Sequence, residues 1–272
     1  MLGNVRHITM KIKQLMSFSV VALTAGLVNA GAMSDRGKEI FESGDDRDSG
    51  FISADWTQEL ILTNALGKES RRLMRIIALE GNDVEGDKTL IVFREPKDSR
   101  GVSLLTHGIK EDDDNQWMYL PNLKRVKRIS AGAKTSRFVG SEFTFEDLAI
   151  REVGDFSYKF IKDTELNGVA VHEIEVIPLD PKSGYSRQIA WIDQKELIVH
   201  KLEYYDKKSK LQKTLFFEDY HQYLGKHWRA HTTRMVNHQT NKKSRLIVSG
   251  NYEFKTGVTK KDFSKNKLRS IR

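Results

Sequence analysis

Residues 156–177 read FSYKFIKDTELNGVAVHEIEVI, two β-rich runs that meet at Asn167-Gly168. An Asn-Gly pair supplies the two positive φ angles of a two-residue type I′ turn, whose twist matches that of the strands it joins. The stretch therefore predicts an antiparallel hairpin. Beyond it, short apolar-polar runs at 186–193, 197–205, 211–220, 228–237 and 245–254 continue the same texture, separated by turn residues. Upstream, 56–63 turns through Asn64-Ala65-Leu66-Gly67 into 71–79, and 89–94, 101–109 and 116–120 follow. The 56–79 stretch also tolerates a helical reading. Roughly ten or eleven strands are expected, in one antiparallel sheet protein. Two of the four prolines, Pro178 and Pro181, fall in one connection, where a missing backbone donor harms no ladder.

Two helical segments interrupt this pattern. At 34–50 a polar, acidic stretch predicts a short helix capped at Ser34-Asp35, then a loop over Gly44-Asp45-Asp46-Arg47-Asp48-Ser49-Gly50. At 144–151, Thr144 can cap the backbone while Asp147 reaches back to it, which predicts a second short helix.

The N-terminus has the three parts of a cleavable secretory signal: Arg6, Lys11 and Lys13 precede an apolar run over 15–28, which ends in small residues. Cleavage is expected after Ala30 or Ala32, so 1–32 is read as signal and 33–272 as a single domain. A run of about 14 apolar residues is short of the ~20 that span a bilayer. The chain has no cysteine, which excludes a lipoprotein signal and leaves no disulfide to hold the fold. The expected mature protein is periplasmic, soluble and stabilised by its core. The first 32 residues hold three of the 45 basic side chains and none of the 37 acidic ones. The remainder thus carries 42 against 37, formally +5. The charges are interleaved rather than gathered in a stripe, which argues against nucleic acid as a partner.

No enzyme signature is legible. There is no Gly-x-Ser-x-Gly, no reactive cysteine and no phosphate-cradling glycine loop. Among the eight histidines the best-spaced pair, His227 and His231, has no third ligand evident in sequence and reads as strand histidines. Neither a metal nor a cofactor is expected.

A different feature stands out over 117–148: Trp117-Met118-Tyr119-Leu120-Pro121, then Lys124-Arg125-Val126-Lys127-Arg128-Ile129, then Phe138-Val139-Gly140-Ser141-Glu142-Phe143-Thr144-Phe145-Glu146-Asp147-Leu148. A small, polar segment at 130–137 joins the basic run to the aromatic one. A loop ending in an aromatic-rich short helix can cover the mouth of a sheet. Taken as packing alone, Trp117, Tyr119, Phe143 and Phe145 can equally be core.

This block, together with Gly168, Tyr185, Trp191-Ile192-Asp193, Glu203-Tyr204-Tyr205-Asp206 and Asp262-Phe263-Ser264, resembles the bacterial outer-membrane lipoprotein-sorting protein family, the LolA-like periplasmic carriers. The resemblance runs from about Trp56 to the C-terminus. It implies a mostly β fold, a half-open antiparallel β-barrel with a helical or loop lid. It also implies a carrier that shields a lipid or the acyl chains of a lipoprotein and touches membranes only transiently. An accessory role beside an inner-membrane transporter, or a hydrolase function, are the alternatives. On this reading Trp117, Tyr119, Leu120, Phe138, Phe143, Phe145 and Leu148 line or cover the cavity, and Arg125 and Arg128 meet an anionic head group at its rim. Arg125, Arg128 and Arg137 are the candidates for an arginine that closes the lid. Alternatively, 124–128 is a solvated strand edge whose lysines and arginines protect against aggregation.

Overall fold

In a computed structural model of the chain, residues 17–269 are described except 83 and 111, with side chains from residue 31 onward. The basic head of the expected signal therefore lies outside the described residues. Thirteen strands form one sheet: β1 (Ser53–Thr63), β2 (Glu69–Leu79), β3 (Lys88–Glu95), β4 (Ser103–His107), β5 (Asn115–Leu120), β6 (Arg125–Ile129), β7 (Phe156–Leu166), β8 (Val169–Pro178), β9 (Tyr185–Asp193), β10 (Val199–Asp206), β11 (Leu211–Tyr223), β12 (His227–Asn237) and β13 (Lys242–Phe254). Their spatial order is β6-β5-β4-β3-β2-β1-β13-β12-β11-β10-β9-β8-β7, and every neighbouring pair is antiparallel. The two halves are consecutive meanders joined where β13 pairs with β1, and β6 and β7 are the two edges.

The 156–177 hairpin forms as its turn requires. Leu166 pairs with Val169 across Asn167 and Gly168, whose φ angles are 52° and 85°. The 56–79 stretch is the β1–β2 hairpin rather than a helix, its turn held by Asn64 accepting from the backbone of Leu66 and Lys68. The basic run, for which an edge strand was one of two readings, is β6.

Helix α1 (Ser17–Asp48) runs through the end of the apolar segment and onward over the acidic stretch, so the loop expected at 44–48 is helical. The reason is tertiary. Arg47 donates to Lys195 O (2.7 Å) and to Glu196 (2.6 Å), and Asp48 accepts from Arg229 (2.5 Å), which tie the last turn to the sheet. Upstream, Gly37 lets the helix backbone approach β7. A Cβ there would lie 3.0 Å from Phe160 N and 3.2 Å from Tyr158 Cβ. Among the described residues no helix is long and apolar enough to cross a membrane.

The sheet curls around one apolar cluster on its concave face, built from Leu60, Met74, Phe93, Leu104, Ile174 and Met235 among others. A smaller cluster on the convex face packs Leu90, Val92 and Leu105 beneath Phe263 and Leu268 of the C-terminal segment. Between the two edges, residues 130–155 dip into the concave face as a plug. The helix expected over 144–151 is a single 3₁₀ turn, Glu146–Leu148. The reciprocal bonds between Thr144 and Asp147 form as expected, at 2.7 and 3.2 Å. The chain extends no further as helix because side chains of the sheet and its loops serve its backbone, as where Asp114 accepts from Ile150 N at 2.6 Å.

Candidate functional site

A cavity of about 980 Å³ lies between the plug and the concave sheet. That is the upper end of the ~300–1,000 Å³ usual for ligand pockets. Its floor is Tyr185 of β9, Leu202 and Tyr204 of β10, Leu215 and Phe217 of β11 and Leu246 of β13; Phe143 and Leu148 of the plug form its roof. The floor follows from strand parity. Alternate residues of a strand share a face, so 202/204 and 215/217 present matched apolar pairs to one side.

The plug is fastened by buried charge rather than by apolar contact alone. Asp147 pairs with Lys213, their side chains 1% and 2% exposed, and it also accepts from Tyr185 Oη at 2.7 Å. Lys213 Nζ lies about 5 Å from the ring centres of Tyr185 and Tyr204, an additional favourable setting for a buried cation. Burial, with Asp147 nearby, pushes the phenol of Tyr185 well above its ordinary pKa, and that of Tyr204 likewise, so both stay neutral. Glu142 accepts from Asn237 at 2.7 Å and pairs with Arg137 at 3.2 Å, while its own N–H donates to Ser244 Oγ at 2.9 Å. Glu146 accepts from Gly184 N at 2.8 Å and from the Ser183 hydroxyl. All three carboxylates of the Glu142–Asp147 segment thus serve to hold the plug down.

The mouth is polar. Arg128, Lys134 and Arg151 stand there with Asp113, Asp114 and Asp155. Burial raises the carboxyl of Asp114 to about 7, despite the N–H groups of Ile150 and Ile109 that donate to it, and burial also raises Asp155.

The sequence-derived candidates divide into three groups. Phe143, Leu148 and Arg128 line the cavity. Phe138 and Phe145 lie behind it in the concave core, 5.8 Å apart edge to face, with Phe93 5.7 Å from Phe138. Trp117 and Tyr119 face the other way, onto the convex cluster under Phe263, because Met118 between them takes the concave side. Leu120 and Arg125 pair with each other at the far end of β5–β6, and neither reaches the cavity. Arg128 donates to Asn115 at 2.6 Å, and Arg137 is engaged by Glu142. Reading by composition missed the floor residues and Lys213. The signal that could have found Leu202, Tyr204, Leu215 and Phe217 was the alternation within β10 and β11.

An open sheet curled round a roofed apolar cavity defines a class of half-open barrels. Comparisons with known proteins place the chain within it. It is 44% identical to a domain assigned to the outer membrane lipoprotein-sorting proteins from Vibrio parahaemolyticus, covering 87% of this chain and 99% of that one with a TM-score of 0.84. A DUF1329 family protein from Desulfovibrio piger (24% identity, 87% and 99% coverage, TM-score 0.82) has the same fold. So does a LolA superfamily protein from Nitrosomonas europaea (19%, 85% and 98%, TM-score 0.66). A family model described only as an uncharacterized protein matches residues 85–270. None of the curated proteins matches the chain. The chain belongs to the outer-membrane lipoprotein-sorting protein family.

Proposed function

We propose that the protein is a periplasmic carrier that takes a lipid or the acyl chains of a lipoprotein into the cavity beneath the plug and delivers them towards the outer membrane. The observation that carries this reading is the cavity itself, with Leu202, Leu215, Phe217 and Leu246 on its floor and Phe143 and Leu148 over it. An acyl chain in water costs about 0.8 kcal/mol per methylene, so a vehicle crossing an aqueous compartment must offer an enclosed apolar surface. The three carboxylates Glu142, Glu146 and Asp147 of the plug are taken up in fastening bonds, which supports binding over catalysis. Export belongs to the same proposal: 1–32 is removed as a signal, and 33–272 works as one soluble domain. Of the two arginines expected at a head group, Arg128 lines the cavity and Arg125 does not, which supports Arg128 in that role.

The test is lipid extraction and native mass spectrometry of protein purified from its own periplasm, beside a Phe217→Arg variant that puts a charge on the half-buried cavity floor. The wild type should retain an apolar ligand, and the variant should retain at least tenfold less with an unchanged circular-dichroism spectrum. A wild type that carries no lipid, and takes up none from vesicles, would sink the carrier reading.

A further inference from the structure

Two residues beyond the cavity floor, at the end of β11 and the start of β12, three side chains that are metal ligands elsewhere in biology come together. Asp219, His221 and His231 each offer a ligand atom, and the three atoms all lie within 4.8 Å of one another. His221 Nε2 is 3.1 Å from Asp219 Oδ1. Donors around a tetrahedral ion with bonds of ~2.0–2.1 Å are separated by roughly 3.3 Å, so this pair already has the required spacing, and the His231 atom lies within 4.8 Å of both. The imidazoles of His221 and His231 are stacked with centres 4.0 Å apart.

The register of the two strands explains the convergence. Glu218 pairs with Thr232 and Tyr220 with Ala230, which sets Asp219 opposite His231, with His221 on the adjacent diagonal. Asp219 holds a left-handed φ of 55°. Such a conformation in a strand is a local distortion of the kind found at functional sites, and aspartate tolerates it better than most residues. Tyr223 supports the arrangement. Its hydroxyl lies 2.6 Å from His231 Nε2 and also reaches Asn251 Oδ1 at 3.3 Å. A hydrogen-bonded partner on one ring nitrogen fixes the ring and leaves the other, Nδ1, to face a metal, as in the outer shell of known sites.

We propose that Asp219, His221 and His231 form a binding site for a divalent transition metal of the zinc class, with one coordination position left open. Two imidazoles and a carboxylate suit Zn²⁺ and its neighbours rather than Mg²⁺ or Ca²⁺, which prefer shells of oxygen alone. The ion clips β11 to β12. Thr233, two residues along β12 from His231, lines the cavity, so the site adjoins the apolar floor.

The experiment uses the full chain without an added histidine tag, stripped of metal and titrated with Zn²⁺ by calorimetry, with Co²⁺ as a spectroscopic stand-in. About one Zn²⁺ per chain is expected. Affinity should fall at least tenfold in His221→Ala, whose exposed ring the fold does not need, and in Asp219→Asn. His172→Ala, a histidine paired with Asp163 on another part of the sheet, should bind as the wild type does. Co²⁺ should give the intense visible bands of a low-coordinate site in the wild type and lose them in His221→Ala. The proposal is overturned if the wild type takes up no Zn²⁺ at micromolar concentration. It is equally overturned if uptake and the Co²⁺ spectrum survive in His221→Ala.

Discussion

Lys213 and Asp147 take opposite charges into an interior where neither is more than 2% exposed. Desolvation of such a pair is offset only while both partners and their hydrogen bonds remain. Removing one charge from a buried pair usually costs about 3–5 kcal/mol, whereas removing both can cost little. Lys213→Met should therefore lower unfolding free energy by about that amount in urea titrations, and Lys213→Met with Asp147→Asn should recover a large part of it. A double variant as unstable as the single one would show that the charge is not the source of the loss. Asp114 contributes through protonation. Its folded-state pKa is about 7, raised by burial above the unfolded value near 3.8. Between these two values the folded form holds a proton that the unfolded form has released, so this residue's contribution to stability falls as pH rises from about 4 to 7 and is restored on acidification. Asp114→Asn should remove that slope. The stability difference between variant and wild type, measured by thermal melts, should favour the variant increasingly from pH 4 to pH 7. Arg128 and Arg125 are three residues apart and separate cleanly in test. If an anionic head group sits at the mouth, Arg128→Glu should weaken capture of anionic over zwitterionic lipid from vesicles several-fold, and Arg125→Glu should leave it unchanged.

At the scale of elements, the plug and α1 are held in different ways. The plug inserts Phe138, Phe143 and Phe145, each under 8% exposed, into the concave core. Truncating such a ring costs about 3–5 kcal/mol through lost burial and the hole left behind. Phe138→Ala should thus destabilise the protein by that order, and because Phe138 lies behind the cavity, lipid capture at low temperature should be retained. Phe143→Ala should cost as much and in addition enlarge the cavity, which changes the ligands captured. Helix α1 docks through the backbone contact at Gly37. Gly37→Leu, with no room for its Cβ against Phe160 N and Tyr158 Cβ, should push the helix off β7 and raise hydrogen exchange there. The Asn167-Gly168 turn makes the opposite point: it was readable because a two-residue hairpin demands positive φ at both positions, whatever surrounds it. The acidic segment at 44–48 was not readable, since its polar, turn-like composition is overridden by Arg47 and Asp48 meeting partners more than 140 residues away.

For the molecule as a whole, the chain's own strand texture and turn chemistry determined that it is an antiparallel β protein, with a hairpin at 156–177, while the helical alternative at 56–79 was settled only by the pairing of β1 with β2. Those features are local: alternation, turn residues and β-rich composition act over a few positions, so they survive in a one-dimensional string. What only the tertiary structure decided is which face each residue meets. Trp117 and Tyr119 belong to the convex cluster and Met118 to the concave one because a strand turns successive side chains to opposite sides. Which side becomes the inside depends on the closure of β13 against β1. The same closure gathers Leu202, Leu215 and Leu246 from three strands into one floor, and brings Lys213 beneath a plug 66 residues earlier in sequence. The register of β11 on β12 sets His231 beside His221 rather than beside His227, which packs on Phe254 instead. A sequence specifies its turns by local sterics, but a cavity is an agreement among distant strands about a common face, and that agreement exists only once the sheet has curled.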